Sequence, residues 1–386
     1  MTKPTARVLY LTPGCFDKGG ISRYNRYQIR ALRDLLGPRR VDVLSVLGPN
    51  EDAFEDAIEV RFASGGIRMR NKLRFVSEAL RAAATLRPNI VLSAHVNLGG
   101  LGHTLARATG ACSVLNVYGS EVWSGLRLDS GWAIRRSQFM VSDCHFTARY
   151  VRDAGLRPDG AIDVVWDCVD LDKFSPRDPS PDVLQRYGIP APGSGVTLLT
   201  LGRMSPDAAH KGYDRLLNAF ARVANRVPDV RLVYAGRGGL TDRLKARAAA
   251  LGVADRVFFT GMIREQDMAD VYRAADIFSL VSDRGPGRGE GIPLTPLEAA
   301  ACGVPILVGN HDGSQEAIFE GRNGFVLDPF DAEEHARVIE LLARDSTLRR
   351  SLAAGALAIA RAEFSYEGFR SKHEQLLSRW LGAGAS

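Results

Sequence analysis

No stretch of this sequence approaches the ~18 uninterrupted apolar residues that a membrane-spanning helix requires. The apolar patch near its start, VLYL in MTKPTARVLYLTPG, is too short for the core of a signal peptide. Cysteines are few: Cys15, Cys112, Cys144, Cys168 and Cys302 are scattered, odd in number and without a C-x-x-C pair. That composition excludes a disulfide framework and a structural zinc site, and leads us to expect free thiols in a reducing cytoplasm. A recognised nucleic-acid module is also missing, and aromatics do not interleave with the basic runs, so nucleic acid is not expected as a partner.

What remains is an ordinary globular composition, 45% hydrophobic and 24% charged over 386 residues. A chain of that length exceeds what one core usually holds, which predicts two domains. The net charge of +6 is unevenly placed. Residues 1–178 hold 25 Lys+Arg against 19 Asp+Glu, and the remainder holds 25 against 25. Much of the excess lies in IRMRNKLRFVSEALRAAATLR (67–87). Taken as a helix, this segment sets Ile67, Leu73, Val76, Leu80 and Ala84 on or near one face, with Arg68, Arg70, Lys72 and Arg74 at its start. It is either a solvated basic face or a patch for anionic lipid or an anionic acceptor.

Short β-branched apolar runs alternate with helix-period segments from end to end, the pattern of parallel sheets with crossover helices. In the first half, 7–12, 41–47, 89–95 and 111–119 read as strands, and ISRYNRYQIRALRDLLG as the first helix. The Pro-, Gly- and Ser-rich stretch 175–195 breaks the pattern and suggests a linker. The alternation then restarts with strands at 196–202, 230–236, 256–261, 276–282 and 304–309. In the helix YDRLLNAFARVANRV, Leu216, Leu217, Phe220 and Val223 share a face. We therefore expect α/β architecture with two doubly wound, Rossmann-like domains facing a central cleft. The expected boundaries are 1–178, a linker at 179–195, 196–365, and a C-terminal helix at 366–386 that could cross back to the first domain. Ligands of such sheets gather at the carboxyl ends of the strands.

Each half opens with strand, glycine-containing loop and helix. The first loop, LTPGCFDKGGISRY, carries Gly19 and Gly20, and the second, LGRMSPDAAHKGYDRLL, carries Arg203 and Lys211. Neither matches the dinucleotide G-x-G-x-x-G or the P-loop. A helix amino end with a nearby Arg and Lys suits a phosphate, although a tight turn and a surface pair would look the same. A third loop, DRGPGRGEG, precedes IPLTPLEAAACG, so Glu290 falls in a loop and Glu298 in the first turns of a helix. Thr295-Pro296-Leu297-Glu298 also has the form of a capping box with Pro at the first helical position. Glu290 has no such local task.

EGIPLTPLEAAACGVPILV resembles the E-x7-E signature of the retaining glycosyltransferases of the sucrose-synthase-like family GT4, which have the two-domain GT-B fold. LTLGRMSPDAAHKGYDRLLNAF resembles that family's donor loop, DCVDLDKFSP its V-D-x-x-x-F-x-P turn, and VLDPFDAEEHARVIELL its closing helix. The resemblance implies a nucleotide-diphosphate sugar as donor and a carbohydrate or lipid-linked acceptor, in glycan or polysaccharide synthesis. It implies that Arg203, Lys211 and the N–H groups of Leu294 and Thr295 bind the diphosphate, with Gly19 and Gly20 at the other domain's approach. Glu290 would face the transferred sugar, Glu298 the ribose, and Met262 and Ile263 the nucleobase. No cofactor or metal is implied, and Asp170-Leu171-Asp172, despite its D-x-D form, lies within the turn motif. Two departures stand out. Pro293 replaces a glycine, removing an N–H, and Tyr118 stands where many members carry a histidine. His95 is then the nearest substitute in chain order, unless it is a structural strand-end residue. Glu121 joins Tyr118 as an acceptor-side candidate, and the other histidines read as surface or loop residues. Competing functions are a sugar-nucleotide epimerase or hydrolase on the same fold, and a non-catalytic sugar-nucleotide-binding protein. The expected location is cytoplasmic, with a peripheral contact to an anionic membrane's inner face through 67–87.

Overall fold

The computed structural model describes residues 6–17, 19–48, 57–123, 125–158, 161–285 and 287–382. The chain divides into two compact units, residues 1–168 with 366–386, and residues 169–365.

The first unit is built on seven parallel strands: β1 (Val8–Thr12), β2 (Val41–Ser45), β3 (Phe62–Ala63), β4 (Ile90–Ser93), β5 (Cys112–Val117), β6 (Phe139–Ser142) and β7 (Asp163–Val164). Their order is β3-β2-β1-β4-β5-β6-β7, the doubly wound arrangement. β1, β4 and β5 are buried at every position, because helices cover both faces of the sheet. Such strands read as continuous apolar runs, which is why the sequence locates them. β3 and β7 are two-residue edge strands without such a run, and the four residues of β6 are equally inconspicuous.

A buried polar network joins the helix Gly20–Leu36 to the C-terminal helix Tyr366–Gly382. Gln28 Nε2 lies 3.0 Å from His373 Nε2, while His373 Nδ1 lies 2.9 Å from the Phe369 carbonyl. The carbonyl can only accept, so Nδ1 carries the proton and Nε2 accepts from Gln28. Trp380 and Phe369 pack into the same apolar cluster as β1 and β2. The last 21 residues thus belong to the first unit, and that unit's N-terminal segment ends at Cys168, not at 178.

The second unit holds six parallel strands: β8 (Val196–Leu201), β9 (Val230–Ala235), β10 (Val257–Phe259), β11 (Ile277–Leu280), β12 (Ile306–Gly309) and β13 (Gly324–Leu327). They run β10-β9-β8-β11-β12-β13, again doubly wound. The helix Tyr213–Ala224 buries Leu216, Leu217, Phe220 and Val223, the face read from the sequence. The stretch 179–195 departs from the expected linker. It contains the helix Pro181–Tyr187, whose Val183 and Leu184 are buried, and Arg186 and Tyr187 both bond Asp267. Its Pro and Gly content marks helix ends: Pro181 opens the helix and Gly188 closes it in the left-handed conformation.

All five cysteines are buried and none is in a disulfide. Three of the histidines assigned to surface and loops, His103, His335 and His373, are instead buried. Among the described residues, no helix is long and apolar enough to cross a membrane.

Candidate functional site

The site in the second unit starts where β8 ends. The chain passes through Gly202 and Arg203, a 3-10 turn Pro206–Lys211, and Gly212, then enters the helix Tyr213–Ala224. Gly212 has φ +79°, and a Cβ there would stand 2.5 Å from the Val281 carbonyl, so only glycine fits this close turn. The turn delivers two adjacent side chains to one carboxylate. Lys211 Nζ lies 2.6 Å from Glu290 Oε1, and His210 Nε2 lies 2.8 Å from the same oxygen. Burial alone would raise the Glu290 carboxyl, but the Lys211 charge, then the His210 hydrogen bond and charge, outweigh it and hold it down at about 2. Glu290 is therefore an anion at neutral pH, with 17% of its side chain exposed.

The Glu290 main chain is fixed from both sides. Its N–H donates to Asp312 Oδ2 (3.0 Å), and its carbonyl accepts from the Gly313 N–H (3.0 Å). Asp312 is fully buried after β12, where Oδ2 also accepts from Ser282 and Oδ1 accepts from the Ser314 N–H and hydroxyl. Burial pushes its carboxyl up, and the nearby Glu290 charge adds to that. Asp283 ties the two loops together. Its N–H donates to the His210 carbonyl, and its carboxylate pairs with Arg215 and Arg288.

Arg203 stands apart from this cluster. Its guanidinium pairs with Asp207 at 2.8 Å, and both side chains are well exposed. The helix after Glu290 spans Leu294–Ala301, with Pro293 at its N-cap position and no side-chain cap. The expected capping box does not form. The helix begins one residue before Thr295, which moves Thr295 and Glu298 out of the cap and third positions. Glu298 is buried and accepts from the Tyr272 hydroxyl at 2.6 Å. Thr295 Oγ1 is buried without a hydrogen-bond partner. An uncapped amino end leaves the N–H groups of Leu294 and Thr295 for a ligand or water, at the positive end of the helix dipole. Met262 is exposed and Ile263 buried, just after Gly261 in the left-handed conformation.

In the first unit, Gly19 caps the helix Gly20–Leu36, and a Cβ on Gly20 would meet nothing within 4 Å. Asp17 accepts from the Gly19 N–H and the Ser22 hydroxyl at this helix end. His95 caps the helix Val96–Thr109 through Nδ1, which accepts from the Asn97 N–H (3.2 Å). Burial lowers its pKa, and Glu121 opposes that shift. Tyr118 is buried, and its hydroxyl donates to Asn25 and accepts from Asn116. Glu121 Oε1 accepts from the Tyr118 N–H, while Oε2 has no hydrogen-bond partner. Asp170 Oδ1 accepts from the N–H groups of Asp172 and Lys173, so this acid holds a turn. Among the described residues no group of three or more His, Cys, Asp and Glu side chains could hold a metal ion.

The structure brings together Lys211 and Glu290, both named from the sequence, with His210 and Asp312, which were not. The signal for His210 was its place beside Lys211 in a strand-to-helix loop. Asp312 gave none, because its role is to bind the main chain of a distant loop.

Two doubly wound parallel sheets, one ending in a Lys-Glu pair beside an uncapped helix, define the class of GT-B glycosyltransferase folds. Sucrose-phosphate synthase from Thermosynechococcus elongatus superposes with a TM-score of 0.78 at 19% identity, over 98% of this chain and all of that one. Residues 187–357 match the family model of the glycosyl transferases group 1. That stretch lies within the second unit and is similar to that family. It is 33% identical over 259 residues to the GDP-mannose-dependent alpha-(1-6)-phosphatidylinositol monomannoside mannosyltransferase of Mycolicibacterium smegmatis, covering 65% of each chain. It is 39% identical over 160 residues to mannosylfructose-phosphate synthase of Agrobacterium fabrum, covering 39% of this chain and 33% of that protein. The chain thus spans less than two thirds of the length of these two curated relatives.

Proposed function

We propose that the protein is a retaining, metal-independent glycosyltransferase that moves a sugar from a nucleotide-diphosphate donor to a carbohydrate or lipid-linked acceptor. The observation that carries this reading is the Lys211–Glu290–His210 cluster, with Glu290 four residues ahead of the first residue of the uncapped Leu294–Ala301 helix. Cleavage of a sugar–diphosphate bond develops negative charge on the leaving group. Lys211, Arg203 and the N–H groups of Leu294 and Thr295 supply fixed positive charge and donors for it. Arg203 would leave its exposed partner Asp207 to do so. The anomeric carbon becomes positively charged in the same step, which a nearby carboxylate stabilises. Glu290 suits that task because it is ionised at neutral pH; the same property disqualifies it as a general acid. When Lys211 turns to the diphosphate, His210 keeps its hold on Glu290.

Glu298 is assigned to the ribose, Met262 and Ile263 to the nucleobase, and Gly19 and Gly20 to the close approach of backbone. Glu121, with one unpartnered carboxylate oxygen, is the acceptor-side candidate, with Tyr118 positioning it. His95 serves as a helix cap in this account. The M. smegmatis relative is GDP-mannose-dependent, which puts GDP-mannose first among donors to assay. We place the protein in the cytoplasm, in glycan synthesis, with the basic 67–87 segment drawn to an anionic membrane face.

The test is nucleotide release from a panel of GDP-, UDP- and ADP-sugars, with and without acceptor sugars, and the anomeric configuration of the product by NMR. We expect acceptor-dependent release and retention of configuration. Release that ignores the acceptor would indicate a hydrolase, and inversion would overturn the retaining mechanism.

A further inference from the structure

The helix Met69–Leu86 uses only part of its apolar surface to pack on the first unit. Phe75, Ala79, Ala82 and Ala83 are buried. The face that the sequence pattern picks out is the other one, and it is open to solvent. Met69 is 70% exposed, Leu73 64%, Val76 38% and Leu80 54%, with Ile67 just ahead at 69%. Five of the eleven exposed large hydrophobics among the described residues lie in these fourteen positions, so the feature is a patch, not scatter.

At about 100° per residue, Met69, Leu73, Val76 and Leu80 form one ridge along the helix. Arg70, Arg74 and Arg81 follow one flank and Lys72 the other. Segment 67–87 carries six basic residues and one acid, Glu78. Glu78 is turned away, pairing with Arg81 at 2.9 Å and reaching Arg61 at 3.9 Å. The ridge is therefore apolar at its crest, cationic on its flanks and free of acid.

We propose that this ridge is a membrane-docking face that inserts Ile67, Met69, Leu73, Val76 and Leu80 among the acyl chains of an anionic lipid surface, with the flanking cations at its headgroups. The chemistry matches an interfacial helix, in which apolar burial and anionic attraction act together. A second copy of the chain is disfavoured, because its own ridge would bring a like-charged rim. A helical peptide is disfavoured by shape, since peptides of that kind lie in grooves and this is a crest. The inference goes beyond electrostatic attraction of a basic run, and it stands independently of the transfer reaction.

The test is flotation of the full chain with vesicles of phosphatidylcholine alone or mixed with phosphatidylglycerol, at low and high salt. Wild type should float with the mixed vesicles and not with the neutral ones. Leu73→Ser with Leu80→Ser should weaken that binding at least about tenfold, and Arg70→Gln with Arg74→Gln should weaken it and flatten its salt dependence. All four positions are exposed, so the fold should survive, as circular dichroism would check. A Leu73→Trp variant should show blue-shifted emission on the mixed vesicles, which surface attraction alone would not give. Absence of vesicle binding, binding that ignores the serine substitutions, or self-association abolished by them would each overturn the proposal.

Discussion

Glu290 is held by its side chain through Lys211 and His210, and by its main chain through Asp312 and Gly313. The second hold explains why an aspartate is buried here. Its two oxygens each accept a backbone N–H, one from Glu290 and one from Ser314. An amide can accept at only one of these places and would turn N–H against N–H at the other. Asp312→Asn should therefore cost about 1–3 kcal/mol in stability, read by denaturant unfolding. It should also lower kcat by more than Ser314→Ala does, because only the former loosens Glu290. Equal kcat losses would contradict the positioning role. At this scale the sequence was informative where spacing mattered and silent where direction mattered. Glu290 and Lys211 stood out by their places in loops. The pairing of Arg203 with Asp207, and of Glu298 with Tyr272, depends on side-chain directions that no spacing encodes.

Among the elements, the helix Leu294–Ala301 shows how a cap signal can mislead. T-x-x-E with a following proline fits a capping box, but the amino end starts two residues earlier, and packing turns Glu298 inward. Its carboxylate then accepts from the Tyr272 hydroxyl instead of closing back on the helix amino end. Glu298→Gln keeps the size and an oxygen for Tyr272, so Tm should change little. Donor binding should weaken about tenfold, the scale of one hydrogen bond to a charged group. Isothermal titration with the donor nucleotide checks this, and unchanged affinity would leave Glu298 with Tyr272 alone. The long buried strands were legible because helices cover both faces of each sheet, which writes an unbroken apolar run into the chain. The edge elements β3, β7 and β13 are short and half-covered, and their sequences do not stand out from the loops around them. The helix Pro181–Tyr187 was hidden for another reason: its own start and stop residues gave it the composition of a linker.

For the molecule as a whole, each unit carries a fully covered imidazole that is lowered to about 4 by burial, His335 in the second and His373 in the first. Unfolded histidine binds its proton near pH 6.5, so between about 6.5 and 4 the unfolded chain binds more protons than the folded one. Stability contributed by these neutral rings is present above that window and is lost as pH falls through it. Melting temperatures across this range should drop, and a variant with Gln at both positions should show a shallower slope; an equal slope would assign the acid sensitivity elsewhere. The two-unit α/β architecture was visible in the alternation of runs. The C-terminal helix at 366 belongs to the first unit, the return that the sequence allowed for, whereas the chain leaves that unit at Cys168, ahead of the expected 178. Contacts such as Gln28 with His373 tie the returning helix to that unit.

The central claim is that an ionised Glu290, set by Lys211 and His210, serves the reacting sugar. The most direct measurement is steady-state transfer by Glu290→Gln beside its affinity for the donor nucleotide. The account predicts a loss of at least about 10²-fold in kcat, as for removal of one group that stabilises developing charge, with nucleotide binding retained. Transfer at the wild-type rate would contradict it.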